Sequence, residues 1–181
     1  MKRKGINTIA IAKKLKENLE RDKLRYPGIE LFWDLGKPSE PGVGRPTTYM
    51  GRRYGRDATL SVVDIVLTKN KKVFLAVEIE ESKQVNPKTV LGDIFGILLC
   101  DKLRFQKKDY LIKKSVVIVA IAVSNKGKRA KKYKRFERHL KRYLTKHPSE
   151  SVSKIRVIPC TTSELIRWIE RLIRFVAGKE I

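Results

Sequence analysis

Acidic residues are scarce in this chain: 19 Asp and Glu stand against 42 Lys and Arg over 181 residues, a formal net charge of +23. Cysteine is scarcer still. Cys100 and Cys160 cannot build a disulfide scaffold, and so sparse a use of thiols suits a reducing, cytoplasmic compartment. Long apolar runs are missing: the longest, Val116 to Val123, has eight residues, against the ~20 needed to cross a bilayer. The basic start Met1-Lys2-Arg3-Lys4 is followed by Ile6 to Ala12, too short and interrupted for a signal peptide. The chain lacks a Gly-rich phosphate loop with its Lys and any Cys/His zinc spacing, and its two histidines, His139 and His147, have no neighbouring nucleophile. The hydrophobic fraction of 41% is enough for a core. The expectation is one domain over residues 1–181, with a core at about 7–123 and a basic extension at about 124–181.

A surplus of positive charge this large repels itself unless a polyanion neutralises part of it. Nucleic acid is the default partner, and anionic membrane the competing one. The charge is concentrated: Arg104 to His147 holds 16 Lys and Arg and only two acids, Asp109 and Glu137. Within it, Tyr133, Phe136, Leu140, Tyr143 and Leu144 recur at steps of three and four, one stripe of a helix. Lys131, Lys132, Lys134, Arg135 and Arg138 fill the remaining faces, where acids would normally provide i,i+4 partners. The pattern predicts a helix docked by its apolar stripe that offers a basic face to phosphates. A second basic element is the turn-rich stretch Gly36 to Asp57. It carries Arg45, Arg52, Arg53 and Arg56 beside Tyr49 and Tyr54, a composition suited to phosphate contact and base stacking.

The coarse order of elements follows from periodicity and punctuation. A helix runs from Asn7 to about Tyr26, stopped by Pro27-Gly28, and a short strand from Glu30 to Leu35 follows. Thr59 to Thr68 and Val73 to Glu81 read as a hairpin turned at Asn70-Lys71. Asn86-Pro87 opens an apolar helix reaching Leu103, in which Gly92 and Gly96 permit close packing onto a sheet. Ser115 to Val123 is a β-branched run, as in a strand covered on both faces. The basic helix, a strand at Lys154 to Ile158 and a last helix follow, the last opened by a capping box at Thr161 and Glu164. This is an α/β domain with a mixed central sheet flanked by helices.

The scarce acids are not scattered. Asp64 lies inside Val62-Val63-Asp64-Ile65-Val66, and Glu78 and Glu80 inside Val77-Glu78-Ile79-Glu80. Residues two apart on a strand share a face, about 7 Å apart, and the hairpin brings Asp64 beside the pair. Acids on one face of an apolar hairpin are costly unless compensated. A hard divalent cation held by carboxylate oxygens and water relieves that cost. The competing arrangement has the acids facing solvent or paired with Lys and Arg. A Mg²⁺ ion beside a basic surface can polarise a phosphodiester and activate a water, which is metal-assisted hydrolysis of a nucleic-acid backbone.

Asp64, the gap of 13 residues and Glu78-Ile79-Glu80, set in this order of elements, resemble the PD-(D/E)xK nuclease superfamily, which includes restriction enzymes and Holliday junction resolvases. The resemblance implies a restriction-endonuclease-like αβββαβ core carrying a C-terminal basic helix, strand and helix. It implies Asp64 and Glu78 as metal-ligating acids, the Ile79 carbonyl as a further ligand, and Mg²⁺ as cofactor with Mn²⁺ as substitute. The third motif position, usually Lys, is Glu80 here, and Lys83 lies three residues on as the candidate to swing in. Glu17 or Glu20 of the first helix is the candidate for an added acid. The implied activity is an endonuclease on DNA, restriction-enzyme-like or junction-resolvase-like, working as a homodimer without membrane or small-molecule substrate. The alternative is a non-catalytic nucleic-acid-binding protein with the same fold.

Overall fold

The computed structural model describes residues 6–22, 25–34, 44–51, 54, 56–80, 87–122 and 127–178. Four helices, α1 (Ile6–Arg21), α2 (Pro87–Leu98), α3 (Gly127–Lys146) and α4 (Thr162–Ala177), flank one sheet. Its strands are β1 (Ile29–Trp33), β2 (Thr47–Tyr49), β3 (Thr59–Val62), β4 (Ile65–Lys69), β5 (Lys72–Glu80), β6 (Lys102–Phe105), β7 (Lys108–Ala122) and β8 (Val152–Cys160). The order is β1-β4-β5-β7-β6-β2-β3, with β8 also on β7. The β5–β7 and β7–β8 ladders are parallel and the others antiparallel, so the sheet is mixed. The architecture is α/β, as the alternation of periods predicts.

The period of two divides the strands between two cores. Val66, Ala76, Val117, Val119 and Ile121 pack under α2 and α3, with Val90, Ile94, Ile97, Tyr133 and Leu140. Ile65, Leu67, Val77, Ile118 and Ala120 pack under α1 and α4, with Ile11, Leu15, Leu165 and Ile169. The segment after residue 123 is integral to this arrangement, since β8 pairs along β7 and α4 covers the second face. The capping box of α4 forms as its sequence predicts, Thr161 accepting from Glu164 N and Glu164 from Thr161 N.

Several expected boundaries move. The first helix ends at Arg21 rather than Tyr26. Thr59 to Thr68 is not one strand: it breaks at Val63-Asp64, β3 pairing with β2 and β4 with β1 and β5. The backbone at the break bonds outside these ladders, Val63 N donating to Pro46 O and Asp34 N to Asp64 O. Because two consecutive strands thus hold distant places in the order, the sheet curls.

The apolar helix stops at Leu98, and Leu103 belongs to β6. Residues 102–112 form a hairpin turned at Gln106-Lys107 (φ 49° and 62°), the same left-handed pair of conformations as at Asn70-Lys71 (φ 52° and 61°). Leu103, Phe105, Tyr110 and Ile112 point inward between exposed or half-exposed neighbours, a strand alternation. Of the two α2 glycines only Gly96 packs closely: a Cβ there would lie 2.5 Å from Ser61 Oγ, whereas Gly92 faces open space.

Both cysteines are buried. Burial, reinforced by Asp101, pushes the Cys100 thiol from 9.0 up to about 12. Between those values the unfolded chain releases a proton that the folded protein holds, so this thiol lowers stability as pH rises through 9. Wild type is therefore expected to lose about 1 kcal/mol more than Cys100→Ala between about pH 9 and about pH 10, a limit set by 1.36 kcal/mol per pH unit. Parallel stability curves for the two proteins in denaturant titrations would refute this. Among the described residues no helix is long and apolar enough to cross a membrane.

Candidate active site

Asp64 occupies the break between β3 and β4, and its Oδ2 accepts the Ile79 N–H at 2.7 Å. The side chain thus replaces a ladder partner and ties the start of β4 to the end of β5. Glu78 pairs across to Val119 and Glu80 to Ile121, so both acids lie on the α2/α3 face of β5, beside Asp64. Asp64 and Glu78 are buried, and Glu80 is partly exposed. Glu78 Oε1 is buried and takes no hydrogen bond, while the residue keeps other contacts. Asp64, Glu78, Ile79 and Glu80 line one cavity of about 320 Å³. The strand period sets Glu78 and Glu80 on one face, and the pairing of β4 with β5 brings Asp64 to them, so the three acids that the sequence singles out share one cavity.

Two further side chains complete the wall. Asp93, the sole acid of α2, reaches the same cavity, and so does Arg45. Arg45 is not simply a surface-loop arginine. Its Nε and Nη2 donate to Asp34 Oδ2 at 3.2 and 3.1 Å, and Asp34 is fully buried. Asp34 and Asp93 were not singled out from sequence. Their only signal is an acid that follows an apolar strand or interrupts an apolar helix.

The convergence stops short of a three-carboxylate cage. Among the described residues no three His, Cys, Asp or Glu side chains form a group that could hold a metal ion. Asp64, Glu78 and Glu80 share the cavity without forming such a group. Asp64, Glu78 and the Ile79 carbonyl are a smaller donor set, made only of oxygen. Mg²⁺ commonly binds through one or two carboxylates and keeps several waters, so this set suits it in number and chemistry.

Other expected site residues fall elsewhere. Glu17 and Glu20 are exposed on α1, ion-paired with Lys14 at 3.4 Å and Lys16 at 3.5 Å, and α1 packs on the opposite face of the sheet, so neither joins the cavity. Tyr49 is buried. Tyr54 is exposed, but Lys102 lies 3.7 Å and Arg104 3.8 Å from its ring centroid, so the ring is already engaged by two cations. Tyr49 is therefore closed to a base, and a base stacking on Tyr54 would have to displace a cation. On α3, Lys134, Arg135 and Arg138 are exposed as expected, while Tyr133 and Leu140 are buried beneath them. The side chains of Arg56, Lys131 and Lys132, and Arg52, Arg53 and Lys83 altogether, lie outside the described residues. His139 and His147 are exposed, away from the cavity, the latter against Tyr143. Compared with protein families, with curated proteins and with solved structures, the chain matches none.

Proposed function

We propose that this protein is a Mg²⁺-dependent endonuclease hydrolysing DNA phosphodiester bonds, built on a restriction-endonuclease-like core of α1, β1, β4, β5, α2 and β7. The observation that carries the proposal is a cavity lined by Asp64, Glu78, Glu80 and Asp93 in a chain of net charge +23. The cavity lies on the sheet face covered by α3, whose Lys134, Arg135 and Arg138 are exposed. Carboxylates gathered among so many cations are poorly explained by solubility and well explained by a cation site that meets phosphates.

Asp64 and Glu78, with the Ile79 carbonyl, would hold the metal. Bound there, Mg²⁺ supplies Lewis-acid polarisation of the phosphodiester and a water made easier to deprotonate. The chain contributes the rest. The Ile79 N–H orients the Asp64 carboxylate, Glu80 is placed to accept a proton from water, and the basic face of α3 holds the backbone of the substrate. Cutting both strands of a duplex calls for a twofold pair, so the active form is taken to be a homodimer.

The test incubates purified protein with duplex, four-way junction and single-stranded DNA in Mg²⁺, Mn²⁺ or EDTA. Products in either metal and none in EDTA are expected. A second proposal, a non-catalytic DNA-binding protein, is favoured by Glu80 standing where lysine is usual. It predicts tight binding that weakens steeply with salt and no product in any metal, a result that would overturn the nuclease.

A further inference from the structure

We propose that Arg45, braced by the buried Asp34, is the phosphate-contacting cation of the cavity and supplies the positive charge missing where Glu80 replaces lysine. This rests on the nuclease proposal and deepens it. Four carboxylates line the cavity, and Arg45 is the one basic side chain among the described residues that do. A phosphodiester carries its own negative charge. A divalent cation alone leaves such a wall repulsive, so a fixed cation inside the cavity is what lets a phosphate approach.

The position of Arg45 is built rather than incidental. Its carbonyl accepts from Thr47 Oγ1 at 2.8 Å, and the adjacent Pro46 carbonyl accepts from Val63 N at 2.8 Å. Asp34, which receives the guanidinium, donates its own N–H to Asp64 O at 3.0 Å. Arg45 is therefore tied at both ends to Val63-Asp64, the break that places the metal-site carboxylate. Holding the cation and the carboxylate on one rigid unit is the preorganisation that charge stabilisation in a transition state needs. A guanidinium carries five N–H donors, and the pair with Asp34 engages two nitrogens on a single oxygen. The fork thus has capacity for a phosphate, and its side chain is 36% exposed. A salt bridge serving only as a strap for Asp34 has no need to face an acidic cavity.

The test measures three things on wild type, Arg45→Ala and Arg45→Lys: thermal melting, DNA affinity in EDTA across salt concentrations, and cleavage in Mg²⁺. A phosphate contact predicts that Arg45→Ala lowers the slope of log affinity against log salt by about one. It predicts a cleavage loss on the order of 10²-fold, partly restored by added guanidinium ion. Arg45→Lys keeps the pair with Asp34 and the fold, yet is expected to lose cleavage through its missing fork. Should Arg45→Ala fail to fold, Arg45→Gln, which keeps a hydrogen-bond donor for Asp34 but no charge, carries the salt-slope measurement. An unchanged salt slope, with cleavage falling only as folded protein is lost, would make Arg45 a structural strap and overturn the proposal. If wild type cuts nothing, the nuclease proposal fails separately, and the slope, which needs no catalysis, still decides whether Arg45 meets a phosphate.

Discussion

Asp64→Asn and Glu78→Gln are each expected to lose about 10³-fold in metal-dependent cleavage, the several kcal/mol of charge stabilisation that a Lewis-acid cation supplies. Both variants are expected to melt no lower than the parent. The amide oxygen of Asn still accepts the Ile79 N–H that Asp64 Oδ2 accepts now, and a buried carboxylate exchanged for an amide sheds a desolvation cost. Asp64→Ala is the poorer probe, because it leaves that N–H without its acceptor at a cost of about 1–3 kcal/mol. Affinity for DNA in EDTA should hold or rise slightly, since each change removes a negative charge from the cavity wall. Mg²⁺ binding measured by calorimetry should weaken in both. Parent rates of cutting in both variants would remove these acids from the site.

Glu137→Ala is expected to cost about 3 kcal/mol of stability, the lower end for breaking a buried ion pair. Glu137 is the only acid in α3, and it is buried against β8 between Lys141 at 2.6 Å and Arg156 at 2.9 Å. The Arg156 Nε–H does not align with the oxygen it approaches, so attraction there is coulombic rather than a directed hydrogen bond. Without Glu137, Arg156 faces a helix whose charges are all positive. The low end applies because Lys141 is half-exposed and keeps its hydration. A domain of this size should melt roughly 10 °C lower, and Glu137→Gln should fall between the two. A melting temperature within a degree or so of wild type would show that α3 docks by its apolar stripe alone.

The elements that were legible from sequence are those whose signal is local. The Asn70-Lys71 turn, the capping box at Thr161 and the doubly buried run from Val116 each sit within a window of a few residues, and each forms as read. The placement of Glu78 and Glu80 on one face is of the same kind, because a strand alternates its faces whatever it pairs with. The β6–β7 hairpin was missed because its turn, Gln106-Lys107, contains neither Gly nor Asn. The lysines and arginines between Leu103, Phe105, Tyr110 and Ile112 also read as one basic segment. The break at Val63-Asp64 was missed because an apolar run says nothing about which neighbour each half will pair with.

By itself the sequence determined the four helices and most of the strands, their buried stripes, the positive charge, the pairing of two acids on β5 and the approach of Asp64 to them through the Asn70-Lys71 turn. Only the tertiary structure decided that Arg45 and Asp93 would meet Asp64 and the two β5 acids, that Asp34 would brace the arginine, and that Glu17 and Glu20 would not take part. The physical reason is range. Periodicity and capping are settled by neighbours a few residues apart, whereas the cavity draws on the end of a strand, a loop, a strand break and a helix. Their approach depends on how the whole sheet curls.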